Sequence, residues 1–351
     1  DGKKMKRVIG FLFGMALLVV TACSDGHRVK RLSDVPYETV TAGLYTMMPG
    51  EMYCAGDYIV WTDPFSTEGF LHVVDRHTGH ELAAWGRIGE GPEEFNTPSV
   101  SYTRSPHIVV SDLNKPLCAT LQVERCSADS VHLIARWNQV NLQGYLSCLS
   151  VGNNLMLAFS PEGRHPFALI ENGGKVSETG EFPVEGVDNG FEAFQGKVTY
   201  LASRGRLLYS LYAFPYLALY DCRDGQLALL HESGGEEGYT VKNGQLQTDA
   251  DARRGFQDAA LTRDYVVGLQ RDETVEGKVP VHVQGRDPKA LPHSLFVYDG
   301  SLKPVCILNL DVPIVRLCGD GASNELYAVV VNPEYSIVKI DLDALFAANG
   351  I

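Results

Sequence analysis

Residues 207–221 read LLYSLYAFPYLALYD. The stretch holds two apolar runs broken at Ala213-Phe214-Pro215, and the second run closes on an acid, Asp221. Runs this short, rich in aromatic and aliphatic residues and free of helical periodicity, read as buried β-strands. The next residues, Cys222-Arg223-Asp224-Gly225, have the form of a hairpin turn. An Asp side chain there accepts amide protons two residues on, and Gly supplies the positive φ.

Working outward, the same unit recurs. Strand cores begin at Tyr58 (YIVW), Ile108 (IVV), Leu155 (LMLAF), Leu207 (LLYSLY), Tyr265 (YVVGL) and Leu326 (LYAVVV), spaced by 50, 47, 52, 58 and 61 residues. Each is followed by a run that ends on an acid: Asp75, Glu124, Glu171, Asp221, Asp299 and Asp341. The core-to-acid offsets are 17, 16, 16, 14, 34 and 15 residues, so the fifth unit carries an insertion. These acids read as turn-formers rather than catalysts. Six such units, each with room for four short strands, predict an all-β chain folded as a six-bladed β-propeller of four-stranded antiparallel blades. The last unit offers only three strands, Ile314–Gly319, Glu325–Val331 and 336–341. Its outer strand is expected from residues 37–46, which would close the ring. A β-sandwich or a pair of smaller β-domains is the alternative.

The N-terminal segment runs Lys3-Lys4-Met5-Lys6-Arg7, then a 13-residue apolar run to Val20, then Thr21-Ala22-Cys23. A basic start, a short apolar run and small residues before a cut are the layout of a secretory signal. The run is too short to cross a bilayer, which takes about 20 residues. Val20-Thr21-Ala22-Cys23 also resembles the lipobox of bacterial lipoproteins. That resemblance implies cleavage before Cys23 and a diacylglycerol thioether on its sulfur. The expected organisation is then a signal peptide over 1–22, a lipidated Cys23 with a polar tether over 23–36, and the propeller over 37–351. An ordinary signal peptide with a chance cysteine, or a short membrane anchor, is the alternative, and Met5 is the expected start residue. Ser24, not Asp, follows Cys23. In lipoproteins generally this leans to the outer membrane, on its periplasmic or cell-surface side.

The formal net charge is −13. Removing 1–22 takes away four basic residues and one acid, leaving −16. Such a chain repels nucleic acid and anionic lipid surfaces as general partners, so the lipid anchor has to supply the membrane contact. Seven cysteines remain after Cys23, scattered and without CxxC pairs. Buried free thiols are the expected reading, with Cys118 and Cys126 as the one pair worth testing for a disulfide.

Residues 71–95, LHVVDRHTGHELAAWGRIGEGPEEF, with Asn96-Thr97-Pro98 behind them, resemble the Gly-Pro-x-x-Phe signature of NHL-type propellers. Together with the lipobox and Arg254-Gly255-Phe256 ahead of DYVVGL, they make the mature chain look like the TolB-like six-bladed propeller lipoproteins of Gram-negative anaerobes. The resemblance implies a fold and a location, and no activity.

No catalytic or metal constellation emerges, and no cofactor is expected. GRIGEGP precedes no helical pattern, so it lacks the helix N-terminus of a phosphate cradle. Gly196-Lys197 lacks the spacing of a nucleotide loop. Ser336 and Lys339 match Ser-x-x-Lys, yet on a strand residues i and i+3 point to opposite faces. His72, His77 and His80 cluster with Asp75 and read as turn residues rather than a metal site.

In a four-stranded blade a–b–c–d, the b–c and d–a connections share one face. The long polar segments 232–254 and 271–293, the 86–98 connection and residues 160–166 all fall there. Long connections on a rigid scaffold are where recognition usually lives. Arg87, Arg164, Arg254 and Arg271 lie in or beside them as candidate anchors for a carboxylate or sugar acid. The expected role is a binding or scaffold module for a protein or glycan partner in the cell envelope, by itself a monomer. The alternative is a hydrolase or lyase with its site at the channel mouth.

Overall fold

The computed structural model describes residues 29–102, 107–152, 154–223, 225–249, 251–279 and 287–351; Cys23 and the export signal lie outside them. Its first strands are β1 (Lys30–Ser33) and β2 (Glu38–Leu44). Blade one holds β3 (Met52–Ala55), β4 (Tyr58–Thr62), β5 (Glu68–Asp75) and β6 (Glu81–Arg87). Blade two holds β7 (Pro98–Tyr102), β8 (His107–Asp112), β9 (Cys118–Ser127) and β10 (Ser130–Asn138). Blade three holds β11 (Ser147–Gly152), β12 (Leu155–Phe159), β13 (Phe167–Glu171) and β14 (Gly174–Thr179). After helix α1 (Gly190–Phe194), blade four holds β15 (Gly196–Leu201), β16 (Arg206–Leu211), β17 (Tyr216–Arg223) and β18 (Gln226–Gly234). A separate hairpin follows, β19 (Tyr239–Lys242) and β20 (Gln245–Thr248). Blade five holds β21 (Asp258–Leu261), β22 (Tyr265–Leu269), β23 (Ser294–Asp299) and β24 (Pro304–Asn309), with α2 (Glu273–Glu276) between its second and third strands. Blade six holds β25 (Ile314–Gly319), β26 (Glu325–Val331) and β27 (Tyr335–Asp341), and α3 (Leu342–Asn349) ends the chain.

The six repeats are six antiparallel blades with their strands in sequential order. Blade six is completed by β2, which pairs with β27 and sets Thr39 opposite Val338 and Thr41 opposite Ile337. An early strand and the last strand of the chain therefore share one sheet, and the ring cannot open without breaking that ladder.

The blades also show why their strands read as continuous apolar runs rather than alternating ones. Successive side chains point to opposite faces of a sheet, and in a ring both faces meet a neighbouring blade. The buried apolar residues accordingly form one cluster per blade junction. Leu149, Phe159, Tyr209 and Tyr216 fill the junction of blades three and four. Leu208, Phe256, Val266 and Phe296 fill that of four and five. Trp61, Val329 and Ile337 fill that of six and one.

Three expectations change. Residues 30–36, read as part of a polar tether, are packed structure. Strand β1 runs parallel to β24 with Arg31 opposite Ile307, giving blade five a fifth strand. Leu32 and Val35, 9% and 4% exposed, pin it between blades five and six. An outer strand leaves a row of unpaired main-chain groups, and β1 covers them. Glu124 and Asp221 form no turn. Glu124 faces His132 inside the β9–β10 ladder, which reverses only beyond Ser127. Asp221 faces Ala228 inside the β17–β18 ladder, with its carboxylate on Arg206 at 2.5 Å. Asp341 caps α3 by accepting from Ala344 N at 3.0 Å. Asp75 and Asp299 do form turns, accepting from the amides of His77 and Thr78, and of Ser301 and Lys303. Cys118 and Cys126 are both free, one buried and one exposed, near the two ends of β9.

The family-like motifs are packing devices. Phe95 is fully buried within 5.6–6.0 Å of the rings of Phe70, Trp85 and Trp137, and plugs blades one and two together. Glu94 Oε2 accepts from Gly91 N at 2.8 Å, and Lys115 Nζ donates to Gly89 O at 2.7 Å, which shapes the GEGPEEF loop. Phe256 plays the plug role before β21. Gly255 precedes it because a Cβ there would lie 2.1 Å from Leu211 O.

Candidate functional site

The two long insertions fall on the face carrying the b–c and d–a connections, and buried polar groups hold both in place. The hairpin of β19 and β20 leans on blade four through Tyr239, whose ring lies 4.8 Å from that of Phe214. Asn189 grips it by both main-chain groups of Leu246, accepting from its N at 2.8 Å and donating to its O at 3.1 Å. In the second insertion the Glu276 carboxylate is 7% exposed. It accepts from Asp272 N (3.0 Å), His293 N (2.9 Å) and Ser294 Oγ (2.5 Å), and pairs with Arg271 at 3.4 Å. Gln270 Nε2 donates to Arg254 O at 2.5 Å, joining one insertion to the other.

Inside this rim lies the channel mouth. The inner edge of each innermost strand has no neighbouring strand, so its main-chain groups need other partners. Side chains from adjacent blades supply them. Ser101 Oγ accepts from Ser150 N at 3.1 Å, Thr199 Oγ1 donates to Ala259 O at 3.1 Å, and Asp258 Oδ2 accepts from Leu317 N at 2.9 Å. Arg316 Nε donates to Gly50 O at 2.9 Å across the junction of blades six and one.

Lys197 sits among these groups, 7% exposed, ion-paired with Glu51 and 3.8 Å from Asp258. Its ammonium stands 5.7 Å from the centre of the Tyr53 ring. Burial pushes its pKa below the usual lysine value; Asp258 opposes that shift and Arg316 adds to it. Ser210, fully buried opposite Lys197 in the β15–β16 ladder, has an Oγ without a hydrogen-bond partner among the described residues. Tyr212, 39% exposed, borders the cluster beside Asp258 and Arg316. Below, the cavity lined by Tyr53, Cys54, Tyr102, Lys197, Tyr200 and Cys318 measures about 20 Å³. That holds about one water. Burial pushes the Cys54 thiol up to about 12, so it is protonated and inert at neutral pH.

The four candidate arginines do not converge. Arg87, at the end of β6, and Arg164, in the 160–166 connection, are exposed on blades one and three. Arg254 is exposed ahead of blade five. Arg271 is 14% exposed and committed: its Nη2 donates to Lys289 O at 2.8 Å and Leu291 O at 2.9 Å. The histidines disperse as well. His72 stacks on Trp61 at 4.1 Å, His77 faces Asp57 and His80 faces Asp129. Among the described residues no group of three or more His, Cys, Asp or Glu side chains is placed to hold a metal. Lys339 pairs with Glu38 and Glu325, on the strand face opposite Ser336.

Sequence reasoning missed Glu51, Asp258 and Arg316, from blades one, five and six, and weighed Lys197 of blade four only as part of a rejected nucleotide loop. A signal existed. Lys197 in GKVTYL and Arg316 in IVRLCG are single charges inside otherwise apolar innermost strands.

Among the described residues no helix is long and apolar enough to cross a membrane. No family model matches the chain, and no curated protein does. Among solved structures, the β-propeller domain of Cps50 (Swd1) from Myceliophteria thermophila gives a TM-score of 0.45 at 11% identity, covering 87% of this chain and 99% of that one. A Bacteroides fragilis NCTC 9343 protein, provisionally described as exported, gives a TM-score of 0.55 at 9% identity, covering 88% of this chain and 98% of that one. At such identities the likeness is one of fold, and the fold of this chain is an all-β six-bladed propeller of antiparallel blades.

Proposed function

We propose that this protein is an envelope lipoprotein of the TolB-like kind, anchored through Cys23, whose loop-rich face binds a protein or glycan partner. The observation that carries the reading is the fixation of the two insertions. Loops without a role need no buried carboxylate, whereas Glu276 spends four interactions on holding one of them, and Gln270 ties it to the other. A preorganised surface loses less entropy on binding. Exposed Arg87, Arg164 and Arg254 offer that face charge-assisted hydrogen bonds. Exposed Tyr45 and Met47, in the connection from β2 to β3, offer it apolar contact. The described likeness to a protein regarded as exported supports the envelope location. The alternative, a hydrolase or lyase at the channel mouth, needs substrate space where Lys197 now pairs with Glu51 and Asp258.

Crosslinking and pull-down from native membranes tests the reading. A partner should be recovered by the wild type and lost from a variant with Arg87, Arg164 and Arg254 all replaced by Ala. Undiminished recovery by that variant would sink the rim as the binding surface.

A further inference from the structure

A groove opens at the outer edge of blade five, beside β1, with a volume of about 440 Å³. Small-ligand sites span roughly 300–1,000 Å³. Its apolar floor includes Val29, Phe296, Tyr298 and Ile307, and its charged lining is Arg31, Arg253, Arg271, Asp272 and Glu273. Three cations face two anions there, within a chain whose net charge is −13. Strand β1 creates this lining. Its parallel register puts Arg31 opposite Ile307, on the face of blade five that looks toward blade four.

The arginines are unevenly used. Arg31 spends its Nε on Asp272 at 2.7 Å. Arg271 is pinned by Glu276 and two carbonyls, yet its Nε is buried without a hydrogen-bond partner among the described residues. Arg253 is exposed, stands 5.2 Å from the centre of the Phe296 ring, and makes no ion pair among the described residues. A guanidinium held on an aromatic ring above an apolar floor suits an anion carried on an apolar body.

We propose that this groove binds the phosphate of a membrane-lipid headgroup and holds the edge of blade five against the membrane. The source of the phosphate follows from where the chain enters. Val29 lines the groove, and six residue steps back to Cys23 reach at most about 20 Å. The proposal therefore rests on the reading of Cys23 as the lipid anchor. The acidity of the whole chain does not oppose it, because exposed charges beyond about 8–10 Å are largely screened at physiological salt.

The test titrates the full-length chain in neutral detergent by calorimetry. The probes are dihexanoyl phosphatidylglycerol, dihexanoylglycerol and inorganic phosphate. The phosphatidylglycerol should bind saturably, dihexanoylglycerol should not, and inorganic phosphate should bind more weakly. Arg253→Gln should weaken the phosphatidylglycerol about tenfold, the loss of one charge-assisted hydrogen bond, and Arg253→Glu should weaken it further. Neither change should move the unfolding midpoint. Equal affinity for wild type and Arg253→Glu, or no binding at all, overturns the site. Inorganic phosphate binding as tightly as the lipid overturns the membrane source. Headgroup binding without acyl label on Cys23 supports the groove and overturns the anchor reading alone.

Discussion

Replacing Asp258 with Ala decides whether the channel-mouth charges hold the ring together or wait for a ligand. Asp258 is 2% exposed, accepts from Ala259 N at 2.8 Å and Leu317 N at 2.9 Å, and lies 3.8 Å from Lys197. Removing it leaves the Leu317 amide unsatisfied, which costs about 1–3 kcal/mol for a buried group. It also leaves Lys197 with Glu51 alone, a carboxylate whose side chain is 42% exposed. Taking one partner from a buried pair costs about 3–5 kcal/mol, and the two effects overlap, so about 3–5 kcal/mol is expected in total. Lys197→Met in the same background removes the stranded charge and should recover part of the loss. Urea unfolding followed by tryptophan fluorescence measures both single variants and the double, and the double-mutant cycle isolates the coupling. A loss below about 1 kcal/mol for Asp258→Ala, or a double variant no more stable than Asp258→Ala, refutes the structural assignment.

Three further outcomes follow from the same geometry. Asp75 is 3% exposed; burial raises its pKa, but hydrogen bonds from Arg125 and from the amides of Thr78 and His77 outweigh that and leave it at about 2. A depressed carboxylate stabilises the fold above its unfolded value, so this contribution should fade as pH falls from about 4 toward 2. Urea midpoints of wild type and Asp75→Asn should differ at pH 7 and converge near pH 2. Gly268→Ala should destabilise by about 1–3 kcal/mol, measured by the same unfolding curves, because its Cβ would lie 2.3 Å from Phe256 Cδ1. Cys23→Ala should abolish acyl labelling and release a folded propeller; lipid label persisting on the variant would refute the anchor.

The ring was legible because its cause is local and repeated. Each unit must bury both faces of its inner strands, so an apolar run recurs about every 50 residues, with turn residues between. The closing strand was legible for the complementary reason: three strands after Ile314 lacked a fourth, and residues 37–46 were the β-prone stretch left over. Phe95 and Phe256 announced themselves by the Gly ahead of them. Strand β1 was hidden, because Lys30-Arg31-Leu32-Ser33 is polar by composition and becomes a strand only when β24 presents its open edge. The fate of Arg271 was hidden as well: its partners Lys289 and Leu291 stand 18 and 20 residues away, in the same insertion.

By itself the amino-acid sequence determined the blade count, the order of strands within each blade, the turn role of acids such as Asp75 and Asp299, and the face on which the insertions emerge. These follow from the period of the apolar runs and from chain direction, which are one-dimensional properties. Only the tertiary structure decided that Glu51, Lys197, Asp258 and Arg316 meet at the channel, that the four candidate arginines stay apart, and that Val29, Arg31 and Arg253 share a groove. Those juxtapositions join different blades. They depend on the angle at which each sheet enters the ring, which no local pattern of residues encodes.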